Sequence, residues 1–281
     1  MLKPRRLFLT CALSITSVSP SKAQDQASTR RSVPTAPSDI VVTAERLPAP
    51  TFTVKHPLPA AMRAIADVNE RSERFARCAK KIDPGLLRRI VDEPVHTSRM
   101  DYSVDRAIRT NIGCYSDSYQ PQTSEPFYGV CNPVGAPGGV GVCRAPYDRA
   151  AIIAEAIYRH TADIELVPEH TANRAIQQRL KRAELLRYRL ADLIERQATQ
   201  MALCVVALQP ARATKLVRAH GDTPTQLQIA AQMLAYASPC TGATKSFTIE
   251  PLHLRASLID AFYRWAVAAK GVQSLLPPAP S

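Results

Sequence analysis

Cysteine is the residue type whose placement promises chemistry in this chain, and that chemistry is cross-linking. Of the seven cysteines, Cys78 and Cys114 lie 36 positions apart, as do Cys204 and Cys240, and the second pair follows the first at a shift of 126. Neighbours recur with them: Pro84 answers Pro210, and Tyr158-Arg159 answers Tyr263-Arg264. A spacing kept twice reads as a duplicated unit. Equivalent positions then make equivalent bonds, Cys78 with Cys114 and Cys204 with Cys240, which leaves Cys131 with Cys143. Zinc would ask for close Cys-x-x-Cys pairs, and none occurs. In the loop-closure account each long bond contributes up to about 4 kcal/mol and the short one about 3.

The remaining candidates for chemistry are charged. Glu155 and Asp260 each lie four residues before an arginine, Arg159 or Arg264, a spacing that puts acid and base on one helix face. A catalytic carboxylate pair is conceivable, but the repeat places the two acids in separate cores, which predicts a structural ion pair in each. His160, Asp163, Glu165, Glu169 and His170 form the one dense group of metal-capable side chains, without a recognised ligand spacing. No metal or other cofactor is expected. The chain has no Gly-x-Ser-x-Gly elbow and no His-Glu-x-x-His helix, and a triad assembled from distant residues stays open. Arg174, Arg179, Lys181, Arg182, Arg187 and Arg189 make one stretch strongly basic. It reads either as a solvated face paired with Glu184 and Glu195 or as a contact surface for anionic partners.

Helices must position these residues. Apolar residues at helical spacing predict a first helix from about Ala60 to Ile82, with Met62, Ile65, Ala66, Val68, Phe75, Ala76 and Ala79 facing inward. A short helix through Ile90 and Val91 follows Pro84; a third is capped by Ser98 and runs toward Cys114, and a fourth starts near Pro146. The second set repeats the order. One long helix from about Thr171 to Leu208 enters it, Thr223-Pro224-Thr225-Gln226 signals a capped start, and Leu254, Leu258, Ala261 and Trp265 stripe the last helix from Pro251. The fold class expected is all-α: two tandem, sequence-related units of about four helices each, spanning residues 58–162 and 163–270, with a loose tail over 271–281. The first unit carries an insertion, 115–144, whose Gly- and Pro-rich stretch Asn132 to Gly141 cannot be helical. It reads as a tolerated surface insertion or a recognition loop. It lacks the Lys-Ser/Thr that ends a phosphate-binding P-loop.

The amino-terminal residues suggest a compartment. Lys3, Arg5 and Arg6, then apolar Leu7 to Val18, then Ser21-Lys22-Ala23 make up an export signal with cleavage after Ala23. Arg5-Arg6-Leu7-Phe8-Leu9 resembles the twin-arginine motif, although Sec export fits Pro4 and Thr10 better. Four of the 36 Lys and Arg fall in this segment, leaving 32 against 24 acids, a basic chain that suits an anionic cell envelope or is simply a soluble basic surface, and after export is not expected to bind nucleic acid. An even number of cysteines past the signal agrees with an oxidising compartment. Residues 24–57 read as a flexible tether, in which Asp39 to Arg46 resembles the partner-binding stretch of TonB-dependent receptors or forms an extended apolar patch.

Phe75-Ala76-Arg77-Cys78 and Ala154-Glu155-Ala156-Ile157-Tyr158, echoed by Met201-Ala202-Leu203-Cys204 and Ile259-Asp260-Ala261-Phe262-Tyr263, carry a resemblance over residues 60 to 268. The chain resembles a family of exported alphaproteobacterial proteins with Phe-x-x-Cys at a helix end and a later Ala-Glu-Ala-Leu-Tyr-like helix. The resemblance implies no activity. The function expected is that of a periplasmic or secreted, non-enzymatic binding protein for anionic envelope components or an envelope protein; the alternative is a hydrolase acting on an envelope polymer from a cleft between the units.

Overall fold

The computed structural model describes residues 59–94, 97–115, 133–136, 140–187, 189, 191, 193–240 and 249–278. The expected export signal, the tether with its Val-Thr-Ala patch, and Cys131 lie outside them. Ten α-helices and one hairpin make up the described residues, so the all-α expectation holds. Helices α1 (Pro59–Cys78), α2 (Pro84–Asp92) and α3 (Ser98–Thr110) lead to a 3-10 turn, Ile112–Cys114. Strands β1 (Pro133–Ala136) and β2 (Val140–Cys143) follow, then α4 (Ala145–Thr161), α5 (Pro168–Ala172) and α6 (Arg174–Arg187). Next come α7 (Leu193–Leu208), α8 (Pro210–Arg218), α9 (Thr223–Ala235), a 3-10 turn Ser238–Cys240 and α10 (Pro251–Lys270).

A disulfide joins Cys78 to Cys114 and another joins Cys204 to Cys240, with Cα atoms 5.6 and 5.5 Å apart. Each bond ties a long helix to a 3-10 turn that follows a thirteen-residue helix. Cys143 is disulfide-bonded as well.

Caps set the helix starts, and two lie one residue earlier than the spacing implies. Thr97, not Ser98, caps α3 by accepting from the Met100 amide at 3.1 Å. Asp222, not Thr223, caps α9 by accepting from the Thr225 amide at 3.1 Å, which releases the Thr223 hydroxyl to bond Glu73. The helix expected over 171–208 is broken. Asn173 leaves the helical region and its side chain accepts from the Ala175 and Ile176 amides, starting α6 anew; α6 then stops at Arg187 and α7 begins at Leu193. Leu185, Leu186 and Leu193 are exposed as a result. The inward face of α1 is also shifted: Met62 and Ala66 face solvent, whereas Ala64, Val68, Phe75 and Ala76 are buried with Asn69 and Ser72. Within the insertion, β1 and β2 pair antiparallel with Val134 opposite Val142, a hairpin where a loop is expected. After Gly271, in the left-handed region at φ 69°, the chain folds back instead of ending in a loose tail. Leu276 is buried, and Arg88 donates to the carbonyls of Leu276 and Pro277 at 2.7 Å each.

Two hydrophobic clusters fill the interior of the unit that begins at Pro48. The first gathers Phe75, Ile90, Val104, Ile108 and Ile152; the second gathers Ile157, Val205, Leu216, Met233, Leu258, Phe262 and Trp265. They meet inside single helices. Helix α4 gives Ile152 to the first and Ile153 and Ile157 to the second, and α10 gives Leu252 to the first and almost every other buried side chain to the second.

Charges buried with α10 are compensated. Arg264, 9% exposed, pairs with Glu184 at 2.6 Å and with Asp260 one turn earlier. Burial pushes the Asp260 carboxyl up, but Arg264, Arg149 and Arg187 outweigh it and hold the group below 3.8. A carboxyl whose folded pKa is depressed adds stability above its unfolded value, and that stability is lost as pH falls through the folded one. Asp260→Asn should therefore cost about 3–5 kcal/mol at neutral pH, and the gap to the natural protein should narrow below pH 3.8. Urea unfolding across that range checks both, and a gap that stays constant with pH would contradict the assignment.

Candidate functional site

An open groove of about 590 Å³ lies where α1, α4 and the α8–α9 turn come together. Arg77 closes the last turn of α1 and Lys80 follows the disulfide-bonded Cys78, so the Cys78–Cys114 staple holds both beside α4. Glu155, Tyr158 and Arg159 share the facing side of α4, three and four residues apart, as helical spacing requires. His220 and Gly221 come from the turn. Gly221 has φ 87°, a conformation disfavoured for residues with a Cβ, and it lets the turn present His220 to α4.

Glu155 is the shared partner. Arg159 donates to it from Nε at 2.6 Å, and the His220 Nε2 lies 2.8 Å from its other oxygen. The Tyr158 ring stacks on His220 with centroids 4.6 Å apart, and Arg159 reaches the Arg77 carbonyl at 3.2 Å. Arg77, Lys80, Arg159 and His220 thus line the groove with Glu155, whose carboxylate is engaged by Arg159 and His220, while Arg77 also pairs with Glu73 at 3.8 Å. Such a surface attracts anions. The sole side-chain hydroxyl among the described lining residues is that of Tyr158.

The residues singled out by spacing fall in three places. Glu155 and Arg159 form their ion pair at the groove rim, whereas Asp260 and Arg264 pair in the interior, so the two acids do not converge. Of the six basic residues, Arg179 donates to the Ala268 carbonyl at the end of α10, and Arg187 donates to the Asp92 and Glu93 carbonyls at the end of α2. Arg174, Lys181, Arg182 and Arg189 are exposed. Glu184, an expected partner of the stretch, pairs with Arg187 at 3.8 Å and is buried against Arg264. Among the described residues no three His, Cys, Asp or Glu side chains converge as a metal set; Glu165 instead pairs with Arg218 at 3.4 Å, and the Val167 amide lies 3.4 Å from His170 Nδ1.

A second polar cluster is sealed off. Ser72 donates to Asp148 at 2.6 Å, Tyr115 donates to the same oxygen, and Arg144 Nε lies 3.1 Å from the other. Burial pushes the Asp148 carboxyl up to about 7, with the Ser72 and Tyr115 hydrogen bonds offsetting part of that. Asp148 is 0% exposed, and the cluster lies beside the first disulfide, with Tyr115 next to Cys114.

No protein-family model, curated protein or solved structure matches the chain. His220 and Lys80 carry no spacing signal, and the one hint in the sequence is the His-Gly-Asp turn before a capped helix. Because Glu155 joins two elements 65 residues apart, Glu155→Gln should lower stability by about 1–2 kcal/mol and His220→Ala by a smaller amount. Chemical unfolding of both variants checks this ranking, and an E155Q variant as stable as the natural protein would show the pair to be incidental.

Proposed function

We propose that the chain is an exported, disulfide-stapled helical protein that binds anionic components of the cell envelope through the groove at Arg77, Lys80 and Arg159. The observation that carries this reading is the lining of the groove, in which Arg77, Lys80 and Arg159 outnumber Glu155 and the Glu73 carboxylate that pairs with Arg77 from outside the lining. Export after Ala23 is supported by the leader-like residues and by the disulfides, which persist in oxidising compartments. No helix among the described residues is long and apolar enough to cross a membrane. The exposed Arg174, Lys181, Arg182 and Arg189 offer a second, weaker anionic contact. Duplication of an ancestral unit accounts for the order long helix, nine-residue helix, thirteen-residue helix, cysteine-bearing turn and long helix, which α1 to α4 and α7 to α10 both follow. The resemblance to exported alphaproteobacterial proteins belongs to the same proposal.

Hydrolysis of an envelope polymer is the second reading. A histidine 2.8 Å from a carboxylate favours it, since such a pair can move a proton.

Binding to immobilised lipopolysaccharide tests the first reading. Retention at about 20 mM salt should fall severalfold by about 300 mM, as screening requires. The double variant Arg77→Gln with Lys80→Gln should weaken retention more than Lys181→Gln with Arg182→Gln. Retention that ignores both salt and the groove variants would overturn the reading. Polymer cleavage abolished by His220→Gln would favour the hydrolase instead.

A further inference from the structure

A smaller cavity of about 220 Å³ adjoins the basic groove and shares Lys80, Glu155 and Arg159 with it. Beyond these shared residues and His160, its wall is built from apolar side chains. Ala79, Ile82, Leu87, Ile152, Ala156 and Leu276 line it, and four of these, Ala79, Ile152, Ala156 and Leu276, are buried. Leu276 belongs to the returning carboxyl-terminal segment, which Arg88 holds by two carbonyl hydrogen bonds of 2.7 Å and which the Tyr263 hydroxyl anchors through the Leu275 amide at 3.3 Å. The apolar wall is thus completed by a strap, while charged side chains stand at the border with the groove. Lys80 and Arg159 are the lysine and arginine that line both the cavity and the groove.

We infer that cavity and groove together bind a free anionic amphiphile, a medium-chain carboxylate whose tail lies against Ile82, Leu87, Ile152 and Leu276 and whose head meets Lys80 and Arg159. The size fits. An apolar protein cavity of about 150 Å³ takes benzene, so 220 Å³ holds a chain of roughly six to eight carbons. Charge selects a monoanion, because Glu155 already occupies the Nε side of Arg159 and offsets one positive charge. The strap favours a single chain over a bilayer surface, since Leu276 covers the apolar wall that a membrane would have to reach. This inference rests on reading the groove as an anion site and adds the tail.

Calorimetric titration of the oxidised full chain with octanoate, butanoate, octyl glucoside and phosphatidylglycerol vesicles tests it. Each buried methylene strengthens binding roughly fourfold at most, so octanoate should bind saturably and butanoate at least about tenfold more weakly. Octyl glucoside, which keeps the tail without the charge, should also bind more weakly than octanoate. Ala79→Leu fills the cavity; its octanoate affinity should drop to that of butanoate, while lipopolysaccharide retention persists. Should that variant fail to fold, Leu276→Ala enlarges the same cavity and should move the preferred chain length up to decanoate. Equal binding of octanoate and butanoate, uptake of vesicles without saturable octanoate binding, or a chain-length preference unmoved by Leu276→Ala would overturn the inference. Chain-length dependence that persists while the groove variants leave lipopolysaccharide retention unchanged would sink the groove reading and leave the cavity standing.

Discussion

One buried guanidinium holds the described fold together. Arg255 of α10, 3% exposed, reaches Glu73 at 2.6 Å and Asn69 at 2.9 Å on α1, and Gln226 at 3.1 Å on α9. Arginine keeps its charge inside a protein, and an unpaired buried charge costs several kcal/mol. Helix α10 therefore has one seat in which its first turns are satisfied, against α1 and α9 at once. Glu73 bears the consequence: burial pushes its carboxyl up, yet the Arg255 charge and hydrogen bonds hold it below 4.5. At the other end of α10, Arg264 finds Glu184 and Asp260. Between these two anchors Leu258, Phe262 and Trp265 fill the second cluster, and Trp265 donates its indole N–H to the Leu203 carbonyl at 2.9 Å.

The groove follows from that seating. Helix α1 is fixed against α4 by Phe75, Ala76 and Ile152 in the first cluster, and its carboxyl end is stapled by Cys78 to Cys114. Helix α4 belongs to both clusters, which fixes the direction in which Glu155, Tyr158 and Arg159 are presented. The turn bearing His220 is set by α8 and α9, and Gln226 both accepts from Arg255 and donates to the Leu216 carbonyl at 3.0 Å. The basic rim and its apolar neighbour are thus by-products of the core, assembled from residues that are far apart in the chain.

Patterns that act locally were legible in the sequence. Cysteine spacing marks both long staples, proline marks the starts of α2, α8 and α10, and i,i+4 spacing marks Glu155 with Arg159 and Asp260 with Arg264. Apolar content alone misplaced the face of α1, because Asn69 and Ser72 are buried by partners on α10 and α4, at sequence separations of 186 and 76. The basic stretch looked like one uninterrupted helix, but Asn173 caps a new helix by bonding backbone amides, a competition that composition does not reveal. Of the groove, Glu155 and Arg159 could be named beforehand. Lys80 and His220 could not, since neither lies on a periodic face and each acquires meaning only when α1, α4 and the α8–α9 turn meet.

Helix α10 couples the two cysteine-stapled sets of helices through Arg255 and Glu73. A double-mutant cycle with Glu73→Gln and Arg255→Met, read by urea unfolding at neutral pH, measures that coupling without the background of either substitution. The structure predicts an interaction energy of at least about 1.5 kcal/mol, within the range for contacting residues, and one cooperative transition reported alike by far-ultraviolet circular dichroism and by Trp265 fluorescence. Additivity within about 0.5 kcal/mol, together with two separate transitions, would contradict it.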